Sequence, residues 1–307
     1  VLPALNSGGV ERGAIDIAKA VKKIGWKSIV VSSGGIMEKE LERDEIEHIY
    51  LPLSSKNPMI LHKNFSALTS IIYDKKIDLI HARSRAPAWS AYYASKRLNK
   101  CFVTTFHGTY NYNNFVKKYY NSIMTKGKKV IAISDFIKQH ILKNYNIDDN
   151  NLITIPRGID LNSFDPNKVS HERIIQLSNL WRLPDGLPIV MLPGRLARWK
   201  GQKVLIESLA RLGNRDYRCI FVGSVKGNEN NKKYLVEIAK KNNLIEQVQF
   251  VDHCNDMPAA YMLADIVVSA STDPEAFGRI SVEAQAMNRV ILASDHGGSY
   301  ETVINGK

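Results

Sequence analysis

At 307 residues and 44% hydrophobic, the chain is too long for one ordinary core, apolar enough for two, and unlike a disordered protein. A membrane span is excluded because no apolar run reaches about 18 residues; Val1-Leu2-Pro3 lacks the order of a signal peptide, and the scattered Cys101, Cys219 and Cys254 read as reduced thiols of a cytosolic protein rather than a zinc or disulfide framework. The net charge of +12 is uneven: residues 1–150 hold 23 Lys and Arg against 13 Asp and Glu, a net of +10, and residues 151–307 hold 19 against 17, a net of +2, so the first half suits an anionic partner unless its lysines serve only solubility.

Val1–Ala4 reads as the tail of a first strand, and Ala14–Ile24 as a helix. The short, β-branched-rich runs Ser28–Ser32, Leu79–His81, Phe102–Phe106 and Val130–Ile133 predict buried parallel strands, with a helix over Phe115–Thr125. After the turn-rich 156–166 the scheme repeats. Strands are expected at Ile189–Leu192, Cys219–Val222, Gln249–Val251, Ile266–Ser269 and Val290–Ala293, and helices at Val204–Leu212, Lys232–Asn242 and Val282–Met287. This alternation predicts an α/β protein of two domains, 1–167 and 168–307, each a parallel sheet with helices on both faces. Both ends read as cut, so the second domain is expected to be incomplete.

Open α/β sheets bind ligands at the carboxyl ends of their strands, and the unusual residues fall there. Gly194-Arg195-Leu196-Ala197-Arg198-Trp199-Lys200-Gly201 follows the strand at 189–192. Gly194 permits close approach of a ligand, and Arg195 and Lys200 set two cations beside a helix start, which suits a diphosphate unless the loop is only solvated. Glu275-Ala276-Phe277-Gly278-Arg279-Ile280-Ser281-Val282-Glu283 follows the strand at 266–269, with a helix expected from about Arg279. Glu283 either accepts from ribose hydroxyls or pairs with Arg279 at i,i+4; Glu275 either reaches a sugar or caps the helix. Gly297-Gly298-Ser299-Tyr300-Glu301 is a glycine-rich turn opening a helix. In the first half, Ser7-Gly8-Gly9-Val10-Glu11-Arg12 matches neither GxGxxG nor GxxxxGK[ST], and Phe106-His107-Gly108-Thr109 puts a histidine at a strand end.

Taken together, GRLARWKGQ (194–202), PEAFGRISVEAQAM (274–287) and GGSYE (297–301) resemble the second domain of retaining family 4 glycosyltransferases. Pro156-Arg157-Gly158-Ile159-Asp160 resembles that family's hinge region, and the loops at Ser7–Glu11 and Phe106–Gly108 its first-domain loops. The details are most similar to bacterial enzymes of lipopolysaccharide and cell-envelope glycan synthesis. The resemblance implies a GT-B fold of two Rossmann-like domains, an acceptor-side one and a sugar-nucleotide-binding one, with the donor in the cleft. It implies that Arg195 and Lys200 hold the donor diphosphate, Glu283 the ribose, and Glu275 with the backbone at Phe277 and Gly278 the transferred sugar. His107 would touch that sugar, Gly9 would approach the phosphates or acceptor, and Glu301 is a further polar contact. No metal or cofactor is implied, and Asp148-Asp149-Asn150 reads as a polar loop.

The expected activity is transfer of a hexose-type sugar from a nucleotide diphosphate donor to a lipid-linked or envelope-glycan acceptor, with retention, in the cytoplasm or at the inner face of the plasma membrane. The rivals are an epimerase of the same fold, or an inactive fragment or basic scaffold. Nucleic acid is not expected, since no RRM-like aromatic pattern or helix-turn-helix signature occurs. An anionic membrane is, because Phe115, Val116, Tyr119, Tyr120, Ile123 and Met124 fall on one helical stripe flanked by Lys117, Lys118, Lys126, Lys128 and Lys129. A second such stretch, 62–76, carries Phe65, Leu68, Ile71 and Ile72 with Lys63, Lys75 and Lys76.

Overall fold

A computed structural model describes residues 1–6 and 8–306. The chain forms two compact units, Val1–Arg157 and Gly158–Lys307. The expected join at 167–168 lies inside the second unit, in the one-turn 3-10 segment Pro166–Lys168.

Unit 1 runs α1 (Gly9–Lys23), β1 (Ile29–Ser32), α2 (Glu38–Arg43), β2 (Glu47–Tyr50), α3 (Pro58–Asp74), β3 (Leu79–Ala82), α4 (Arg85–Arg97), β4 (Cys101–Phe106), α5 (Phe115–Ser122), β5 (Lys129–Ala132), α6 (Asp135–Asn144) and β6 (Leu152–Thr154). Helix α1 buries Ala14, Ile15 and Ala18 on one face, with Glu11 in its first turn and Lys22 and Lys23 in its last, the charge order the helix dipole favours. Asn57 caps α3 by accepting from the Met59 N–H, just before Pro58, and Ser134 caps α6 in the same way through the Ile137 N–H.

The strands β1 and β2 pair in parallel, and β3, β4, β5 and β6 form a second parallel sheet in that order. Residues 1–5 lie between them. The Leu2 N–H donates to Val31 O and the Ser33 N–H to Pro3 O on one side; the Val1 nitrogen donates to His81 O and the Arg83 N–H to Val1 O on the other. That segment is the expected first strand position, and it seams the two sheets together.

The apolar stripe expected over 115–124 divides. Ile123 and Met124 are fully buried, whereas Phe115, Val116 and Tyr119 are 81%, 74% and 59% exposed. The stretch at 62–76 instead packs inward through Leu68 and Ile72, its chain being most of α3.

Unit 2 runs α7 (His171–Trp181), β7 (Ile189–Pro193), α8 (Gln202–Arg211), β8 (Arg218–Val222), α9 (Glu229–Lys241), β9 (Val248–Val251), α10 (Met257–Leu263), β10 (Ile266–Ser269), α11 (Arg279–Ala286), β11 (Val290–Ala293) and α12 (Ser299–Thr302). Its strands form a five-stranded, wholly parallel sheet in the order β11-β10-β7-β8-β9. One core, around Met191, Ile220, Tyr261 and Met287, and another, around Leu192, Leu205, Phe221 and Leu235, take side chains from the same strands, as alternation across a sheet covered on both faces requires. Arg173 on α7 grips Asp256 with two hydrogen bonds of 2.9 and 2.7 Å, and Asp256 also caps α10 through the Ala259 N–H. Each unit is thus the Rossmann-like α/β layer structure of the GT-B fold.

Candidate active site

In unit 2 the chain leaves β7 for β8 and β9 on one side, then returns to place β10 on the other side of β7. Between the carboxyl ends of β7 and β10 the order reverses, which is where open α/β sheets leave a crevice. The loops that follow these two strands are fastened to each other. The Thr272 N–H donates to Trp199 O at 2.7 Å. Gly201, at φ +76°, sits so close to Ala270 that a Cβ would lie 1.8 Å from its carbonyl oxygen. Buried Gln202 donates to Arg195 O and Asn231 to Leu196 O, which hold the 194–200 loop from behind.

Across this seam Lys200 Nζ donates to Glu275 Oε1 at 2.5 Å, and Ser271 Oγ donates to the same oxygen at 2.6 Å. The two charged side chains are 13% and 15% exposed, and the ammonium also lies 4.4 Å from the Trp199 ring centroid. Arg195 is exposed, and its guanidinium has no hydrogen bond or ion pair among the described residues. Gly194, at φ +139°, passes beside the Lys200 side chain.

Gly278, in the left-handed region at φ +83°, turns the chain into α11, whose first N–H groups face outward as at any helix start. Phe277 is buried just before it. Glu283 accepts from Arg279 Nη2 at 2.9 Å and from the Tyr261 hydroxyl at 2.8 Å. The i,i+4 pairing is therefore formed, and burial beside that carboxylate pushes the Tyr261 hydroxyl well above its ordinary pKa. Glu275 does not cap α11; its backbone bridges to the glycine turn, where the Gly298 N–H donates to Glu275 O at 2.7 Å. A Cβ at Gly298 would strike the backbone of Phe277 and Ala276, so these glycines serve close packing. Glu301 is exposed on the short α12.

In unit 1, Gly9 opens α1; Ser7 lies outside the described residues. His107 follows β4, and its Nδ1 is 2.6 Å from Arg157 Nη2. Burial, then the charges of Arg157 and Arg83, hold the imidazole well below its ordinary pKa. Arg83, Tyr261, Ser271 and Asn231 were not legible as site residues; Gln202 stood only as the last residue of the 194–202 motif, and Arg157 only within the hinge motif. The one signal for Arg83 was a charged residue directly after the strand ending His81-Ala82. Among the described residues no group of three or more His, Cys, Asp or Glu side chains is placed to hold a metal ion, and no helix is long and apolar enough to cross a membrane. All three cysteines are free.

The chain matches Glycosyltransferase Family 4 over residues 7–163 and Glycosyl transferases group 1 over residues 176–307. A crystal structure of a glycosyltransferase from Rickettsia africae ESF-5 is 42% identical, with a TM-score of 0.89, covering 99% of this chain and 81% of that one. The Anabaena protein Alr3699/HepE, crystallised with UDP and glucose, shares the fold at 24% identity and a TM-score of 0.85, covering 99% of this chain and 83% of that one. Spore coat protein SA of Bacillus subtilis (strain 168) is 26% identical over 243 residues, 76% of this chain; the chain spans 63% of the length of that curated relative. With two parallel α/β units, a cation–carboxylate pair at the switch point of the second and matches along nearly its whole length, the chain belongs to glycosyltransferase family 4.

Proposed function

We propose that the protein transfers a hexose-type sugar from a nucleotide diphosphate donor to a lipid-linked or envelope-glycan acceptor, with retention at the anomeric carbon. The observation that carries this reading is the Lys200–Glu275 pair, with exposed Arg195 on the same loop, at the carboxyl ends of β7 and β10. Arg195 and Lys200 would bind the donor diphosphate and stabilise the charge that grows on it as the glycosidic bond breaks. Lys200 has two further N–H donors beyond the one given to Glu275, so both contacts can coexist. Glu275, held by Lys200 and Ser271, would orient the sugar, with the N–H groups after Gly278 beside it; Glu283 would take the ribose. A carboxylate already neutralised by a lysine is a weak nucleophile, which favours front-face return over a covalent intermediate. That a structural neighbour was crystallised with UDP and glucose makes UDP the first nucleotide to try.

For the acceptor side, the support is the exposed trio Phe115, Val116 and Tyr119 beside exposed Lys117, a surface suited to an anionic leaflet. The protein would then be cytoplasmic and peripheral at the inner face of the plasma membrane.

Calorimetry with UDP, GDP and ADP tests the donor reading. One nucleotide should bind, and Arg195→Ala and Lys200→Ala should each weaken it by about 1.5–3 kcal/mol, roughly 10- to 150-fold. No binding of any nucleotide at millimolar concentration would refute it. Product NMR then reports the anomeric configuration and separates transfer from epimerisation.

A further inference from the structure

The two residues that hold the 194–200 loop from behind have a second surface. Gln202, at the start of α8, donates to Arg195 O at 3.0 Å, and Asn231, in the first turn of α9, donates to Leu196 O at 2.7 Å. Both also line a cleft of about 420 Å³ between α8 and α9, completed by Arg198, Lys203, Tyr234 and Leu235. That volume is in the range of small-molecule sites. The whole lining belongs to unit 2, and none of it is assigned a contact with the donor above.

The lining asks for a particular chemistry. Gln202 is 1% exposed, and its Oε1 is buried with no donor among the described residues. A buried acceptor without its hydrogen bond is unfavourable, and a hydroxyl group supplies one. Two cations stand beside it. Arg198 is exposed, and its guanidinium makes no hydrogen bond or ion pair among the described residues. Lys203 is charged, since Glu207 and then Tyr234, from the other helix, hold its ammonium above the ordinary pKa. Its pairing with Glu207 is long, at 3.7 Å, and both side chains are about half exposed, so the ammonium is only weakly committed to that partner. Tyr234 adds a ring face and a hydroxyl, and buried Leu235 an apolar surface, which suits a molecule with C–H faces as well as hydroxyls.

We propose that the cleft between α8 and α9 binds a small hydroxylated anion of the hexose phosphate class, with its phosphoryl group on Arg198 and Lys203 and a hydroxyl on Gln202. Such a ligand lies against the two carboxamides that hold Arg195 O and Leu196 O. Filling the cleft therefore steadies the loop that carries Arg195 and Lys200, and tightens binding of the nucleotide diphosphate. The cleft rests on unit 2 alone; its coupling to the nucleotide rests on the donor reading above.

The test is calorimetry on the whole chain with glucose 6-phosphate, glucose, inorganic phosphate and UDP. Glucose 6-phosphate should bind about tenfold more tightly than phosphate or glucose alone, because only it meets both the cations and the Gln202 oxygen. Arg198→Gln and Lys203→Gln should each weaken it about tenfold. Both residues being exposed, these variants should melt with the wild type and bind UDP alone within about twofold of it. In the wild type, saturating glucose 6-phosphate should tighten UDP about fivefold, UDP should tighten glucose 6-phosphate by the same factor, and the variants should lose both effects. No binding of glucose 6-phosphate at millimolar concentration overturns the site, and so does equal affinity for phosphate. Competition between glucose 6-phosphate and UDP, or binding lost in Lys200→Ala but kept in Arg198→Gln, puts the anion in the donor site and overturns the cleft. Binding of the two ligands without mutual effect overturns the coupling. Wild-type protein that binds glucose 6-phosphate through Arg198 and Lys203, yet binds no nucleotide, refutes the donor reading and supports the cleft.

Discussion

Replacing Glu275 by glutamine separates two roles that Lys200 holds at once. Glutamine keeps the shape and can still accept from Ser271 and Lys200, but the ammonium loses its counter-charge. Removing one partner of a buried pair destabilises by about 3–5 kcal/mol, and of an exposed pair by about 0–1 kcal/mol. At 13% and 15% exposure, with the Trp199 face 4.4 Å away to share the ammonium, about 2 kcal/mol is expected. For a unit of this size that is a fall in Tm of roughly 4–8 °C. Nucleotide binding should move the other way or not at all, since Lys200 no longer divides its charge between Glu275 and a diphosphate. Turnover should fall by about 100-fold or more, because the group that orients the sugar has lost its charge. The assays are thermal unfolding with and without nucleotide, calorimetry, and initial rates. Nucleotide affinity lost as severely as in Lys200→Ala would refute this division of roles, and so would unimpaired turnover.

Glu283→Gln should weaken nucleotide binding about tenfold while sparing the fold, and Tyr261→Phe, which removes one of the two groups now holding that carboxylate, should destabilise by about 1 kcal/mol in denaturant unfolding. Gly201→Ala should unfold unit 2, since its methyl would meet Ala270 O at 1.8 Å from a left-handed backbone; the loss should exceed about 4 kcal/mol and be plain in limited proteolysis. His81, which bonds Thr105 Oγ1 at 2.7 Å, is pushed by burial from 6.5 to about 3. Below pH 6.5 the unfolded chain therefore binds a proton the folded chain does not, and stability should drop by about 2 kcal/mol from pH 7 to pH 5 on this account; His81→Gln should flatten that slope in chemical unfolding at each pH. Binding to anionic vesicles that salt reverses, and that Phe115→Ser with Val116→Ser abolishes, is expected in co-sedimentation; equal binding to neutral vesicles would count against it.

Much of the fold was legible because buried parallel strands are short, β-branched and set between helical periods: IVVS at 29–32 and again at 266–269 occurs where such strands stand. The helix α4, RAPAWSAYYASKR, was not. It buries Ala86, Ala88, Ala91 and Ala94 against its neighbours, and small residues give no apolar stripe to read. The edge strand β2, EHIY, is too polar and too short to announce itself. At the site, residues close in sequence could be grouped by their loops, but partners could not. Glu275 meets a lysine 75 residues away, and Glu283 a tyrosine 22 residues away, because sheet order decides which strand ends adjoin. His107 stood out as a histidine in a glycine turn; that Arg83 shares its surroundings depends on β3 and β4 ending side by side, and Arg157 reaches it from beyond β6.

Five residues hold the sheet of unit 1 in one piece. Were residues 1–5 displaced, β1 and β3 would each show unpaired N–H and C=O groups, with Asp78 and Arg83 the charges that flank the β3 edge and none within β1. The same slot would accept residues 1–5 of another copy as readily as its own. Partial unfolding at this one place would therefore turn the unit into a template for strand exchange or aggregation, well before the rest of the fold gave way.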